Sequence, residues 1–131
     1  MQVVAAVIER EGRLLVGQRR RGDRFALQWE FPGGKVSETE TLERALEREL
    51  GEELGVRAQV GRELYRTRHR YREMSDELVL VFFATRIEGQ PVNLAFERIE
   101  WVERERLGSL DFLPADREFV ARLAAGEWLG E

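Results

Sequence analysis

Apolar positions along the chain fall into short runs with two different periods. Val3 to Ile8 is one continuous run and Leu14 to Gly17 a second. The polar segment Glu9-Arg10-Glu11-Gly12-Arg13 between them predicts a hairpin. Gln18 to Gln28 is rich in arginine and carries Gly22 and Asp23, which predicts a loop. Trp29-Glu30-Phe31 predicts a brief strand stopped by Pro32-Gly33-Gly34, whose glycines let a ligand approach the main chain. The period then changes. Thr41 to Leu54 repeats its leucines at helical spacing, with Thr39 or Thr41 to cap the start and Gly55 to end it. Val56 to Arg72 reads as extended. Glu77 to Ile87 contains Leu78-Val79-Leu80-Val81-Phe82-Phe83-Ala84, the pattern of a buried strand, and Glu88 to Asn93, with Gly89 and Pro91, reads as a turn. Ile99 to Val102 predicts another short strand. Pro114 stands where a helix would start, and Phe119, Val120, Leu123 and Ala124 give that helix one apolar face. Strands outnumber helices in mixed order, which predicts an α/β or α+β domain over residues 1–131 built on one mixed sheet.

Composition narrows the function classes. A chain of 131 residues suffices for one core. With 43% apolar and 35% charged residues it is expected to fold rather than remain disordered. A net charge of −4 gives no reason to expect a nucleic-acid polymer as partner. The absence of cysteine excludes disulfides, thiolate zinc sites and a thiol nucleophile. The apolar runs are too short to span a bilayer, and Met1-Gln2-Val3-Val4 lacks the pattern of a signal peptide. The expectation is a cytoplasmic monomer or homodimer without a membrane partner. All the basic residues but Lys35 are arginines. Genome composition is the simpler source of that bias; recognition of anions by guanidinium forks is the other.

The predicted helix carries the informative chemistry. On a wheel of about 100° per residue with Leu42 at zero, Ala45, Leu46, Leu50 and Leu54 fall between roughly 300° and 120° and form the core-facing stripe. Glu49 at about 340° and Glu53 at about 20° lie inside that stripe, and Glu52 at about 280° lies at its border. Glu43 and Glu47 fall near 100° and 140°, so position alone does not make a site. Carboxylates three and four residues apart repel, and partial burial raises the cost of ionising them. Arg48 could neutralise one, not all three. A hard divalent cation would neutralise the group. The alternative is an amphipathic helix with a glutamate-rich flank.

The residues Gly34, Glu40, Arg48-Glu49-Leu50, Glu52-Glu53 and Gly55-Val56 fill every defined position of a pattern known from one family. That pattern is the Nudix box, and the chain resembles Nudix hydrolases. A chance match has a probability on the order of 10⁻⁵ at this composition. The flanking Trp29-Glu30-Phe31-Pro32-Gly33-Gly34-Lys35-Val36, the N-terminal hairpin and Leu113-Pro114-Ala115-Asp116 resemble the MutT-type branch. The resemblance implies an α/β/α sandwich around a mixed sheet. It also implies a nucleoside triphosphate pyrophosphohydrolase dependent on Mg²⁺ or Mn²⁺, with the oxidised-guanine and the CTP/dCTP types both in view. Other nucleoside diphosphate derivatives as substrates, or a binding module without turnover, are the alternatives.

By the same resemblance Glu49, Glu52 and Glu53 are the metal ligands, joined by a carbonyl of Gly33 or Gly34 and by a later carboxylate, Glu97 ahead of Glu100. One of the box glutamates, Glu52 or Glu49 foremost, also helps to orient or deprotonate the attacking water. Arg48 orients a glutamate, and Glu40 is structural or supports the ligands from behind, direct ligation being the alternative. Arg19, twelve residues before Phe31, matches a phosphate-contacting arginine. Arg20, Arg21 and Arg24 are taken as general electrostatic attraction. Glu30 and Phe31 belong to the substrate side, with Phe31 or Trp29 either stacking on a base or filling the core. Asp116 occupies the base-reading position, as an ionised acceptor suited to the amine of cytosine, or else caps the last helix. His69, the only histidine, lies among Arg66, Arg68, Arg70 and Arg72 and reads as peripheral. Those arginines face solvent, line the cleft or meet a partner subunit.

Overall fold

The computed structural model describes residues 1–72 and 76–128. Along them run the strands β1 (Gln2–Arg10), β2 (Arg13–Gln18), β3 (Trp29–Glu30) and β4 (Gly33–Lys35), the helix α1 (Leu42–Leu54), the strands β5 (Arg57–His69), β6 (Leu78–Glu88) and β7 (Arg98–Glu103), and the helix α2 (Arg117–Ala124). Turns of 3-10 helix span Arg104–Ser109 and Pro114–Asp116. The sheet is mixed: β1 lies parallel to β6, and the remaining pairings are antiparallel. Its order is β3-β2-β1-β6-β5, with β4 paired to β1 and β7 to β2.

Alternation along the central strands builds two cores. Val4, Ala6 and Ile8 of β1 and Val81 and Phe83 of β6 pack with Ala45, Leu46, Leu50 and Leu54 of α1. Ala5, Val7, Leu80 and Phe82 point to the other face and meet Phe119, Val120 and Leu123 of α2. A helix covers each face, so the central strands are apolar on both sides and read as continuous runs. This is the expected α+β sandwich. Helix α1 begins where expected: the Thr41 hydroxyl accepts from the Arg44 amide, and Gly55 ends it in the left-handed conformation at φ 64°.

Two expectations need correction. The strand at Trp29 does stop, at Glu30, but Gly33 and Gly34 are themselves strand and not a break. The chain resumes at once as β4 and pairs with β1 through Val3–Lys35, Val4–Gly34 and Ala5–Gly33. Side chains would prevent this close packing, since a Cβ on Gly33 would run into the Val4 carbonyl. The last helix also starts later than Pro114, which opens a 3-10 turn ahead of α2.

Candidate active site

A cavity of about 600 Å³ opens beside β4 and the cavity-facing side of α1. Glu49, Glu53, Gly33, Gly34 and Lys35 line one part of it. Phe25, Tyr71, Leu78, Leu113, Ala115 and Asp116 line another, and Arg19, Glu30 and Phe31 contribute as well. Glu30 bears electrostatically on both Glu53 and Asp116, and so links the two parts.

The helical stripe delivers Glu53 and Glu49 to this space. The Glu53 carboxylate accepts from the Gly33 amide at 3.0 Å. Burial, with Glu30, Glu49 and Glu52 nearby, pushes its pKa up to about 8. Burial also raises Glu49, against the pull of Arg48. Glycine at 34 leaves room for the Glu49 carboxylate to lie against the strand, since a Cβ there would overlap it where it stands. Arg48 is a hub. It donates to Glu40 at 2.6 and 3.0 Å, to Glu49 and Glu52 at 2.9 Å each, and to the Lys35 carbonyl at 3.1 Å. It therefore neutralises more of the cluster than expected, though not Glu53. Glu40 also accepts from the Ser37 amide at 3.1 Å, and these bonds hold its pKa down at about 2. The structural role expected of Glu40 fits this arrangement.

The NUDIX domain family model matches residues 1–123. The chain belongs to the Nudix family. Among its Nudix relatives, an 8-oxo-dGTP diphosphatase of Haemophilus influenzae is 39% identical over 126 residues, covering 94% of this chain and 90% of that protein. A CTP pyrophosphohydrolase of Escherichia coli is 48% identical over 46 residues, 35% of this chain and 34% of that protein. A MutT Nudix hydrolase from Burkholderia pseudomallei has the same fold at a TM-score of 0.81 and 28% identity, covering 92% of this chain and 95% of that one.

Within this Nudix chain several expected site residues lie elsewhere. Glu52 is not part of the cavity lining; its side chain is 58% exposed and shares one Arg48 nitrogen with Glu49, at 2.9 Å each. Among the described residues no three acidic or histidine side chains form a ready-made ion cage. Glu97 is not part of the cavity lining; it faces Arg21, with 4.0 Å between the charged groups. Its loop nevertheless hydrogen-bonds to the end of α1, from the Leu94 amide to the Glu53 carbonyl at 2.9 Å. Glu100 pairs with Arg98. Arg19 does line the cavity, but its guanidinium is engaged by Glu30 at 3.2 Å and by the Arg24 carbonyl at 2.8 Å. Trp29 and Phe31 are buried; Phe31 packs on Phe82, Phe112 and Phe119 and also reaches the cavity lining, whereas Trp29 does not.

Asp116 lines the cavity, and of the two roles expected of it the cap of the last helix is not the one it takes. It precedes α2 yet makes no side-chain cap bond. Its carboxyl is buried at 3% exposure, accepts from the Phe31 amide, and lies near Glu30. Burial and that neighbouring carboxylate push its pKa well above its ordinary value, in the direction of the protonated carboxyl. Arg66, Arg68, Arg70 and Arg72 are exposed and outside the cavity lining, and His69 rests edge-on against Tyr71. Sequence reasoning missed Phe25 and Tyr71. Tyr71 had a signal: Tyr65, Thr67, His69 and Tyr71 alternate with those arginines and so share the opposite face.

Proposed function

We propose that this Nudix protein is a nucleoside triphosphate pyrophosphohydrolase, turning a (deoxy)nucleoside triphosphate and water into the monophosphate and pyrophosphate, in the cytoplasmic nucleotide pool. The observation that carries the reading is one cavity lined both by the box carboxylates Glu49 and Glu53 and by the buried Asp116. A relative of nearly full coverage named for hydrolysis of 8-oxo-dGTP supports it.

The donors suit Mg²⁺ or Mn²⁺. Glu49 and Glu53 are desolvated carboxylates whose pKa values are raised, the condition a divalent cation relieves. Two carboxylates, a carbonyl of Gly33 or Gly34 and the substrate's own phosphates make the hard oxygen set that Mg²⁺ prefers. Bound there, the ion supplies charge neutralisation of the phosphates and acidification of a bound water. Glu49 and Glu53 would hold it. Arg48 fixes Glu49 from outside, and the glycine backbone lets the phosphates come close. Glu52, at the rim, is placed to exchange its Arg48 contact for a role with water or metal. Glu30 keeps Arg19 at the cavity wall, where one fork faces the phosphates only after that pair opens.

Burial pushes the Asp116 carboxyl toward its protonated form, which both donates and accepts and so matches two base edges. An oxidised guanine offers an N7–H donor and an O6 acceptor, and cytosine offers its amine and N3. We take 8-oxo-dGTP as the first substrate and the cytosine triphosphates as the second. The test is pyrophosphate release from the common (d)NTPs, 8-oxo-dGTP, 5-methyl-dCTP, ADP-ribose and a diadenosine polyphosphate, with and without Mg²⁺. Metal-dependent release led by 8-oxo-dGTP or a cytosine nucleotide is expected. Turnover confined to ADP-ribose or the dinucleotide would overturn the triphosphate reading.

A further inference from the structure

The loop between β2 and β3 holds two unusual backbone positions, separated by one residue. Phe25 and Leu27, neither a glycine, both adopt left-handed backbone at φ 59° and 64°. Side chains crowd the backbone there, and such conformations persist where the surroundings impose them, often at ligand sites. The surroundings are visible. The Leu27 amide donates to the Arg19 carbonyl at 3.0 Å and the Gln28 amide to the Phe25 carbonyl at 3.1 Å. The Gln18 side chain donates to the Leu27 carbonyl at 3.1 Å. Neither hydrophobic core uses Phe25. What the conformation achieves is to lay the Phe25 ring on Tyr71, with centroids 4.8 Å apart and planes 43° from parallel. The Arg24 guanidinium stands over both rings, 4.9 Å from Phe25 and 5.5 Å from Tyr71. Tyr71 is itself fixed, its hydroxyl accepting from the amide of Ala115, the neighbour of Asp116.

We propose that the Phe25–Tyr71 pair is the base-stacking wall of the site, with Phe25 as a specificity-determining residue that holds the nucleobase while Asp116 reads its edge. The proposal rests on the nucleotide reading above. Both rings line the cavity together with Asp116. A base sandwiched between two rings needs them roughly 7 Å apart, twice an aromatic contact, so the base lies against the cavity side of the pair. Aromatic rings are sequence-tolerant platforms, because every base has a π-face, and the hydrogen bonds of Asp116 then supply the choice. Trp29 and Phe31 belong to the hydrophobic core, whereas Phe25 stands outside it on a loop held by hydrogen bonds.

The test is calorimetric binding to wild type, Phe25→Ala, Phe25→Leu and Phe25→Tyr, using 8-oxo-dGMP and CMP against ribose 5-phosphate as a probe without a base. Phe25→Ala and Phe25→Leu are expected to weaken nucleotide binding by roughly 5- to 100-fold. Ribose 5-phosphate binding should move less than about twofold, and Phe25→Tyr should restore the nucleotides. In turnover the loss should appear in KM far more than in kcat. Phe25→Leu keeps apolar bulk without the ring, so it decides the matter if the alanine variant fails to fold. Equal losses with and without a base, or no loss for either nucleotide, would overturn the wall. Wild type that binds these monophosphates but releases no pyrophosphate from any triphosphate would instead sink the proposed reaction, leaving the wall to be judged on binding alone. Wild type that binds neither nucleotide better than ribose 5-phosphate overturns the wall.

Discussion

Glu53 accepts a hydrogen bond from the Gly33 amide while three other glutamates bear on it, and its pKa rises to about 8. A carboxyl whose folded pKa is raised leaves the fold at full stability below its ordinary value of 4.5 and weakens it as pH climbs toward 8. Without divalent cations, Glu53→Gln should therefore be more stable than wild type at pH 8. The gain is on the order of 2 kcal/mol once solvent screening at this half-buried position is allowed for, and it should vanish near pH 4. Thermal melts of both proteins across that range check it; parallel curves would contradict it. Glu40 contributes in the opposite sense and in a separate window, between its folded value of about 2 and 4.5, where its stabilising contacts are lost as pH falls. At this scale the helical wheel made Glu49 and Glu53 legible, because both fall among the leucines. Glu52 at the border of the stripe turns outward to Arg48, an outcome its angle already allowed. The raised pKa of Asp116 was not legible, since it comes from burial and from Glu30 on a distant segment. Phe25 left no mark either: a left-handed residue without glycine carries no local signature.

At the scale of elements, Arg48 ties α1 to the loop that leads into it. Its planar fork reaches Glu40 and the Lys35 carbonyl on one side and Glu49 and Glu52 on the other. Lysine keeps the charge but not the fork. Arg48→Lys should preserve the fold and lower divalent-cation affinity by about 10- to 100-fold, as loss of a group that orients a ligand does. Titration of Mn²⁺ by electron paramagnetic resonance reads this without turnover; unchanged affinity would mean that Arg48 does not organise the carboxylates. Most elements were legible because their signals are local: a threonine cap, a glycine stop and leucines at helical spacing for α1, apolar runs for β1 and β6. Strand β4 was not, because its glycines read as a break. Its extended state comes from pairing with β1, a tertiary contact that only small residues permit. The register shifts of β5 near Val60 and Glu63 were likewise hidden, being set against β6 and not by the strand's own residues.

For the whole molecule, the fold places Glu49 and Glu53 from one covering helix and Asp116 from the approach to the other around a single cavity at the sheet. The box told of the first group and the spacing of Leu113-Pro114-Ala115-Asp116 hinted at the second. That the two share one cavity, linked by Glu30, is a product of the sheet topology. No helix of the described residues is long and apolar enough to cross a membrane. The central claim is that this Nudix site cleaves nucleoside triphosphates at the bridge between the α- and β-phosphates. The most direct measurement is product identity from 8-oxo-dGTP and from dCTP with Mg²⁺, by ³¹P NMR, for wild type and Glu53→Gln. The account predicts the monophosphate and pyrophosphate from at least one of the two, with turnover reduced by orders of magnitude in the variant. Diphosphate with inorganic phosphate, or a Glu53→Gln variant as active as wild type, would contradict it.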